Sequence, residues 1–164
     1  MNKPLFLLLS LIAIASASDD KTDRATLKGV KNVCVVVEVA DQAQARLGKE
    51  KLQTEIESKL GQAGIQVDKN ANTCLYLNER SLQAIGQQSI LRKQKLMALY
   101  AIDLRLEFLQ TVALTRDPAA KTFAPTWSST NMATVSADEL NRTALEMADG
   151  LMDQFIAAYK SVNP

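Results

Sequence analysis

Asn32-Val33-Cys34-Val35-Val36-Val37-Glu38-Val39 is the stretch that decides the fold. It is β-branched and almost continuously apolar, the composition of a strand covered on both faces or lying centrally in a sheet. Downstream, Leu52, Ile56 and Leu60 recur at four-residue spacing between Lys49 and Ala63, and Ala63 extends the same face. Glu50, Glu55 and Glu57 lie beside Lys51 and Lys59, and Gly64 follows as a stop signal. The spacing predicts a one-sided helix. Ile65-Gln66-Val67 re-enters extended structure, Asp68 to Asn72 reads as a turn, and Cys74 to Leu82 is a second strand. Strand, helix and strand in this order predict a right-handed parallel crossover.

Further on, Ile102, Leu104, Leu106 and Phe108 alternate with Asp103, Arg105 and Glu107, the period of a half-buried strand. A hairpin from the second strand into a long third strand ending near Arg116 accounts for this region. A short helix over Ile90 to Met97 is the alternative there. Asp117-Pro118 makes a turn, and Phe123 to Val135 returns as a fourth strand. Pro125 cannot donate to a ladder, so this strand lies at an edge or carries a bulge. The chain closes with a helix from Ala137 to about Lys160, with Ser136 and Glu139 in capping-box spacing. Its stripe is Leu140, Ala144, Met147, Leu151, Phe155 and Tyr159, with Gly150 a soft spot inside it. The expected fold is α/β: a two-layer sandwich in the order β-α-β-β-β-α, with a four-stranded mixed sheet and two amphipathic helices. If both helices cover one face, the other face of the sheet stays open.

Ahead of this domain, Met1-Asn-Lys-Pro, an apolar run from Leu5 to Ala15 and Ala15-Ser16-Ala17 have the three parts of a secretory signal peptide. The run is short of the ~20 residues that span a bilayer. The expected organisation is a signal peptide over 1–17, a flexible leader over 18–28 and a single domain over 29–164. The expected location is export to the bacterial periplasm, with no transmembrane segment in the mature chain. The leader has no cysteine to accept a lipoprotein anchor. The chain has 19 basic and 18 acidic residues, and the leader contains one of them, Lys3, so the mature chain is neutral. Without a basic excess, nucleic acid is not expected as a partner.

Cys34 and Cys74 are the two cysteines. Outside the cytoplasm they favour a disulfide, worth roughly 4 kcal/mol on the chain-entropy model. Both also sit in apolar strand sequence, where free cysteines behave as small hydrophobes, and the two readings stand side by side. Two cysteines without a histidine cannot complete a zinc shell, so no metal is expected.

Histidine is absent altogether. That removes the Ser-His-Asp and Cys-His arrangements and the commonest general base. The six glycines form no phosphate loop. No catalytic residue and no cofactor is therefore expected. Asp103, Arg105 and Glu107 share one strand face, read first as solvated. Trp127 is either a recognition aromatic on an edge strand or a core residue. Arg92, Lys93 and Lys95 form a small basic cluster, a solvated turn or a contact for anionic lipid or a partner. Asn141-Arg142-Thr143 matches a glycosylation sequon inside the closing helix.

Several stretches together resemble a group of small exported bacterial proteins of unassigned function. They are Leu27-Lys-Gly-Val, Leu52 to Ile65, Leu114-Thr-Arg-Asp-Pro, Thr126-Trp-Ser and Asp153-Gln-Phe-Ile-Ala-Ala-Tyr with Asn163-Pro164. The order of elements is similar to the lipoprotein plug of the lipopolysaccharide translocon and to the TolB amino-terminal-like domain. That resemblance implies a largely non-catalytic protein that docks to a partner or to lipid, although many such relatives carry a lipid anchor. The expected function is a non-enzymatic accessory module that binds another envelope protein; a carrier or sensor of an apolar ligand such as a lipid is the alternative. A carrier needs an internal cavity of roughly several hundred Å3.

The export reading has a direct check. Mass spectrometry of the protein recovered from a periplasmic fraction should give an amino terminus within a few residues of Ser18. An intact Met1 start in a cytoplasmic pool would end the reading.

Overall fold

A computed structural model describes residues 20–40, 47–90 and 93–164, with backbone only over 84–90 and 93–98. The signal-peptide reading lies outside the described residues. Among the described residues the elements are α1 (Lys21–Ala25), β1 (Asn32–Val39), α2 (Lys49–Gln62), β2 (Gln66–Val67), β3 (Thr73–Ile90), β4 (Lys93–Leu114), β5 (Asp117–Ser136) and α3 (Leu140–Val162). They form one mixed sheet in the order β2-β1-β3-β4-β5. β1 runs parallel to β2 and β3, and the β3-β4 and β4-β5 pairs are antiparallel. The fold is α/β, as the patterns require, with one strand more than expected because Gln66 and Val67 pair with Asn32 and Val33.

The α2 stripe of Leu52, Ile56 and Leu60 is buried. Gly64 takes a φ of 80° just past the helix, and the Ile65 N–H reaches back to the Leu60 carbonyl at 2.9 Å. That bond satisfies a terminal carbonyl and turns Ile65, 1 % exposed, into the core. Alternation in the strands sends Val33, Val37, Leu75, Leu77, Leu104, Leu106 and Phe108 to the same side, where all are buried. α3 buries Leu140, Ala144, Met147, Leu151 and Phe155 against that side. Phe155 meets Phe108 at a centroid distance of 6.0 Å and Trp127 edge-on at 5.3 Å. α2 and α3 lie side by side, joined by Lys59 to Asp149 and, at 2.6 Å, to Asp153.

Trp127, a candidate recognition aromatic, is therefore a core residue with 1 % of its surface exposed. The reason is a bulge. Trp127 stands opposite Phe108 while Pro125 stands opposite Leu109, so Thr126 is the extra residue. β5 is both an edge strand and a bulged one, and the irregularity sits beside the proline that cannot pair.

Within the stretch expected as a leader, residues 20–28 form a capped helical turn and a buried anchor. Asp20 caps α1, accepting the N–H groups of Thr22 and Asp23 at 2.7 and 2.8 Å. Leu27 is fully buried. Asn163 clamps the following turn: its Oδ1 accepts the Gly29 N–H at 2.7 Å and its Nδ2 donates to the Leu27 carbonyl at 3.0 Å. The Tyr159 hydroxyl adds a bond to the Val30 carbonyl at 2.9 Å. The capping box is likewise replaced. Glu139 is already helical at the cap, and its carboxylate takes the Ser136 hydroxyl at 2.9 Å rather than a backbone N–H. No helix forms over 93–97; β3 and β4 stay paired up to Ile90 and Lys93.

Phe155 is fully buried among three aromatic rings, so Phe155→Ala should lower stability by roughly 3 to 5 kcal/mol in urea unfolding. Glu146→Ala loses only an exposed pair with Arg142 and should stay within about 0.5 kcal/mol of the parent.

Candidate functional site

Both long helices pack on the same face of the sheet, which leaves the other face bare. The strand residues that alternate with the core positions line up there in rows. One row is Val36, Tyr76, Glu107 and Ser128; the next is Glu38, Asn78, Arg105 and Thr130; the third is Arg80, Asp103 and Met132. Together, parts of these rows line a groove of about 350 Å3. Asp103, Arg105 and Glu107, first read as a solvated face, form its middle strand. Tyr76, Asn78 and Arg80 are the residues that the sequence reading passed over. Their signal was present in Leu75-Tyr-Leu-Asn-Glu-Arg80, where polar residues alternate with the buried leucines.

The groove is internally bonded along one side. The Tyr76 hydroxyl donates to the Glu38 carboxylate and accepts from Asn78 Nδ2 at 2.9 Å. Arg80 Nε donates to Asn78 Oδ1 at 3.2 Å. Burial, and then the bond to Glu38, hold the Tyr76 phenol above its ordinary pKa. Arg105 pairs with Glu107 at 3.3 Å. Asp103 differs from the rest: its Oδ1 is enclosed and has no hydrogen-bond partner among the described residues. An enclosed acceptor left unpaired is unfavourable, and a donor brought from outside would relieve it. Two guanidinium groups, three carboxylates, an amide and a phenol give this face both donors and acceptors. The described residues include no cluster of three or more potential metal ligands.

Cys34 and Cys74 occupy the same face. They stand directly opposite in the parallel register, with Cα atoms 4.4 Å apart, and are joined as a disulfide. It locks β1 to β3, the two strands that carry Glu38 and Tyr76. Arg92 lies outside the described residues; Lys93 and Lys95 fall on β4, where only the backbone is described. Because Trp127 points the other way, the groove takes no tryptophan. The helix–sheet layer, where a carrier would hold an apolar ligand, is occupied by Trp127, Phe108, Phe155 and the buried leucines.

Among the described residues, one carboxylate is buried on the core side. Glu79 is 1 % exposed on the core side of β3, where its Oε2 accepts the Ala40 N–H at 3.1 Å. Its Oε1 lacks a partner of good geometry among the described residues, with the Ser81 hydroxyl as neighbour. Burial pushes this carboxyl upward, and the Ala40 bond opposes the shift only in part.

No protein-family model matches the chain, and no curated protein matches it significantly. Solved structures that align with it include the PelC dodecamer from Paraburkholderia phytofirmans, at 12 % identity and a TM-score of 0.44, over 77 % of this chain and 87 % of that one. A minor lipoprotein from Acinetobacter baumannii aligns at 12 % identity and a TM-score of 0.41, over 82 % and 93 %. The rare lipoprotein B from Shewanella oneidensis aligns at 14 % identity and a TM-score of 0.38, over 78 % and 94 %.

The raised Glu79 carboxyl carries a signed expectation. An acid with a folded pKa above its unfolded one holds its proton better when folded, so stability falls as pH rises between the two values. Glu79→Gln, which cannot ionise, should raise the urea midpoint at pH 7. The gain should disappear on acidification below the ordinary carboxylate range. A midpoint that falls at pH 7 would mean the charged form is favoured in place.

Proposed function

We propose that this protein is a non-enzymatic accessory module of the bacterial cell envelope, which docks another envelope protein on the open face of its sheet. The observation that carries the reading is the uncovered groove of Tyr76, Asn78, Arg80, Asp103 and Arg105, which sets hydrogen-bond donors and acceptors of both charges side by side. The mixed charge favours a polar, complementary protein surface over a phosphate polymer or an apolar ligand. The leader sequence and the Cys34–Cys74 disulfide support an oxidising location outside the cytoplasm. The lack of histidine supports a binding role over a hydrolytic one.

A photo-crosslinking residue placed at Thr130, in the groove, should capture one partner of defined mass in intact cells. The same residue at Glu55, on the outer face of α2, should not. Arg105→Glu combined with the Thr130 probe should cut the adduct about tenfold, equivalent to ~1.4 kcal/mol. Equal capture from both positions, or capture indifferent to Arg105→Glu, would remove the open face as the docking surface.

A further inference from the structure

The two edges of the sheet are unequal. On one side β2 offers only Gln66 and Val67. On the other, the first half of β5 carries the devices that keep edge strands from pairing: Lys121, Pro125 and the bulge at Thr126. The N-terminal turn also rests there, with the Thr26 hydroxyl donating to the Thr126 carbonyl at 3.3 Å. From Trp127 to Ser136, Trp-Ser-Ser-Thr-Asn-Met-Ala-Thr-Val-Ser, every such device is missing. This stretch has no charge, no proline and no bulge, and among the described residues its ladder runs to β4 alone.

The occupant that fits this edge is a second copy of it. A two-fold axis opposes a strand to itself, so a charged strand would meet like charges, whereas this one meets none. Antiparallel pairing would set Ser and Thr side chains opposite uncharged partners, including the Ser–Thr pairs that hydrogen-bond across strands.

The helix above this edge has a feature that its own fold does not explain. α3 packs on both β4 and β5, so a dyad just outside β5 would bring two copies of it to the same side of the joined sheet. The two copies of α3 would then face each other across the dyad. The flank of α3 toward β5 is marked by Gln154, whose Oε1 accepts the Ser129 hydroxyl at 2.5 Å. The opposite flank is marked by Asp149 and Asp153, held by Lys59 of α2. Helical spacing places Thr143, Gly150 and Ala157 in one row on the β5 flank. Glycine is unfavourable in mid-helix, yet a Cβ at Gly150 would meet nothing within 4 Å inside this chain. A second helix passing across the dyad supplies the missing reason for a small residue there.

We propose that the protein forms a two-fold dimer by antiparallel pairing of residues 128–136 of β5, with the Thr143–Gly150–Ala157 flanks of the two α3 helices in contact. The dimer makes one continuous sheet and joins the two open faces side by side.

Sedimentation equilibrium on the mature exported protein should give a dimer with a dissociation constant below roughly 10 μM. Met132→Lys with Thr134→Lys places like charges along the edge at two solvent-exposed positions. Gly150→Leu fills the open side of the helix without touching the core. Each should weaken self-association at least about tenfold, the circular dichroism spectrum staying that of the parent. A parent that remains monomeric over this range, or a dimer that either variant leaves unweakened, overturns the proposal.

Discussion

Phe155 is the point at which the closing helix meets the sheet, and the layered arrangement depends on that meeting. One ring contacts Phe108 of β4, Trp127 of β5 and Tyr159 of its own helix. Those contacts use up the apolar stripe of α3, just as Leu52, Ile56 and Leu60 use up that of α2. Neither helix then has an apolar side to offer a second sheet face. The bare face with its polar rows is therefore the other side of the same burial, and the candidate site exists because the helices are one-sided. Glu79 shows the limit of that logic. Its side alternates inward with Leu75 and Leu77, so the pleat carries a carboxylate into the core whether or not the core suits it.

The bulge at Thr126 links backbone chemistry to both layers. Pro125 has no N–H to give, and one extra residue lets the ladder step past it. The step also decides which side of the sheet receives Trp127. Without it, the pleat beyond Pro125 would be inverted, sending Trp127 to the open face and Ser128 to the core. Ser128, Thr130 and Met132 line the open face because the register after the bulge puts them there. Gln110 steadies the spot, donating to the Thr126 hydroxyl at 2.8 Å and to the Thr26 carbonyl at 3.3 Å.

The elements legible in the sequence were those in which one physical pattern repeats. The valine run of β1, the four-residue spacing of α2, the alternation in β4 and the long stripe of α3 each repeat enough times to name themselves. α1 was not legible, because a single turn capped by Asp20 has no periodicity and buries no side chain of its own. Leu27, alone in polar surroundings, gave too little signal to mark a core position. Trp127 was ambiguous because alternation fails at a bulge. The open face was foreseen as a bare surface, but its residues were not joined into a site. Rows across a sheet depend on register, and register between Tyr76, Glu107 and Ser128 cannot be read from any one segment.

The Asn163 clamp on Leu27 and Gly29 has a consequence in time as well as in space. Its two bonds bridge almost the whole described chain, from its first turn to its last helix. A polypeptide that emerges N-terminus first, from a ribosome or through a pore, cannot make them until Asn163 has cleared the exit. β1, α2 and β3 can associate earlier, but the turn at Leu27 stays unlatched and Val30 waits for Tyr159. Native closure thus waits for Asn163, and a threading chain stays open until that residue is through.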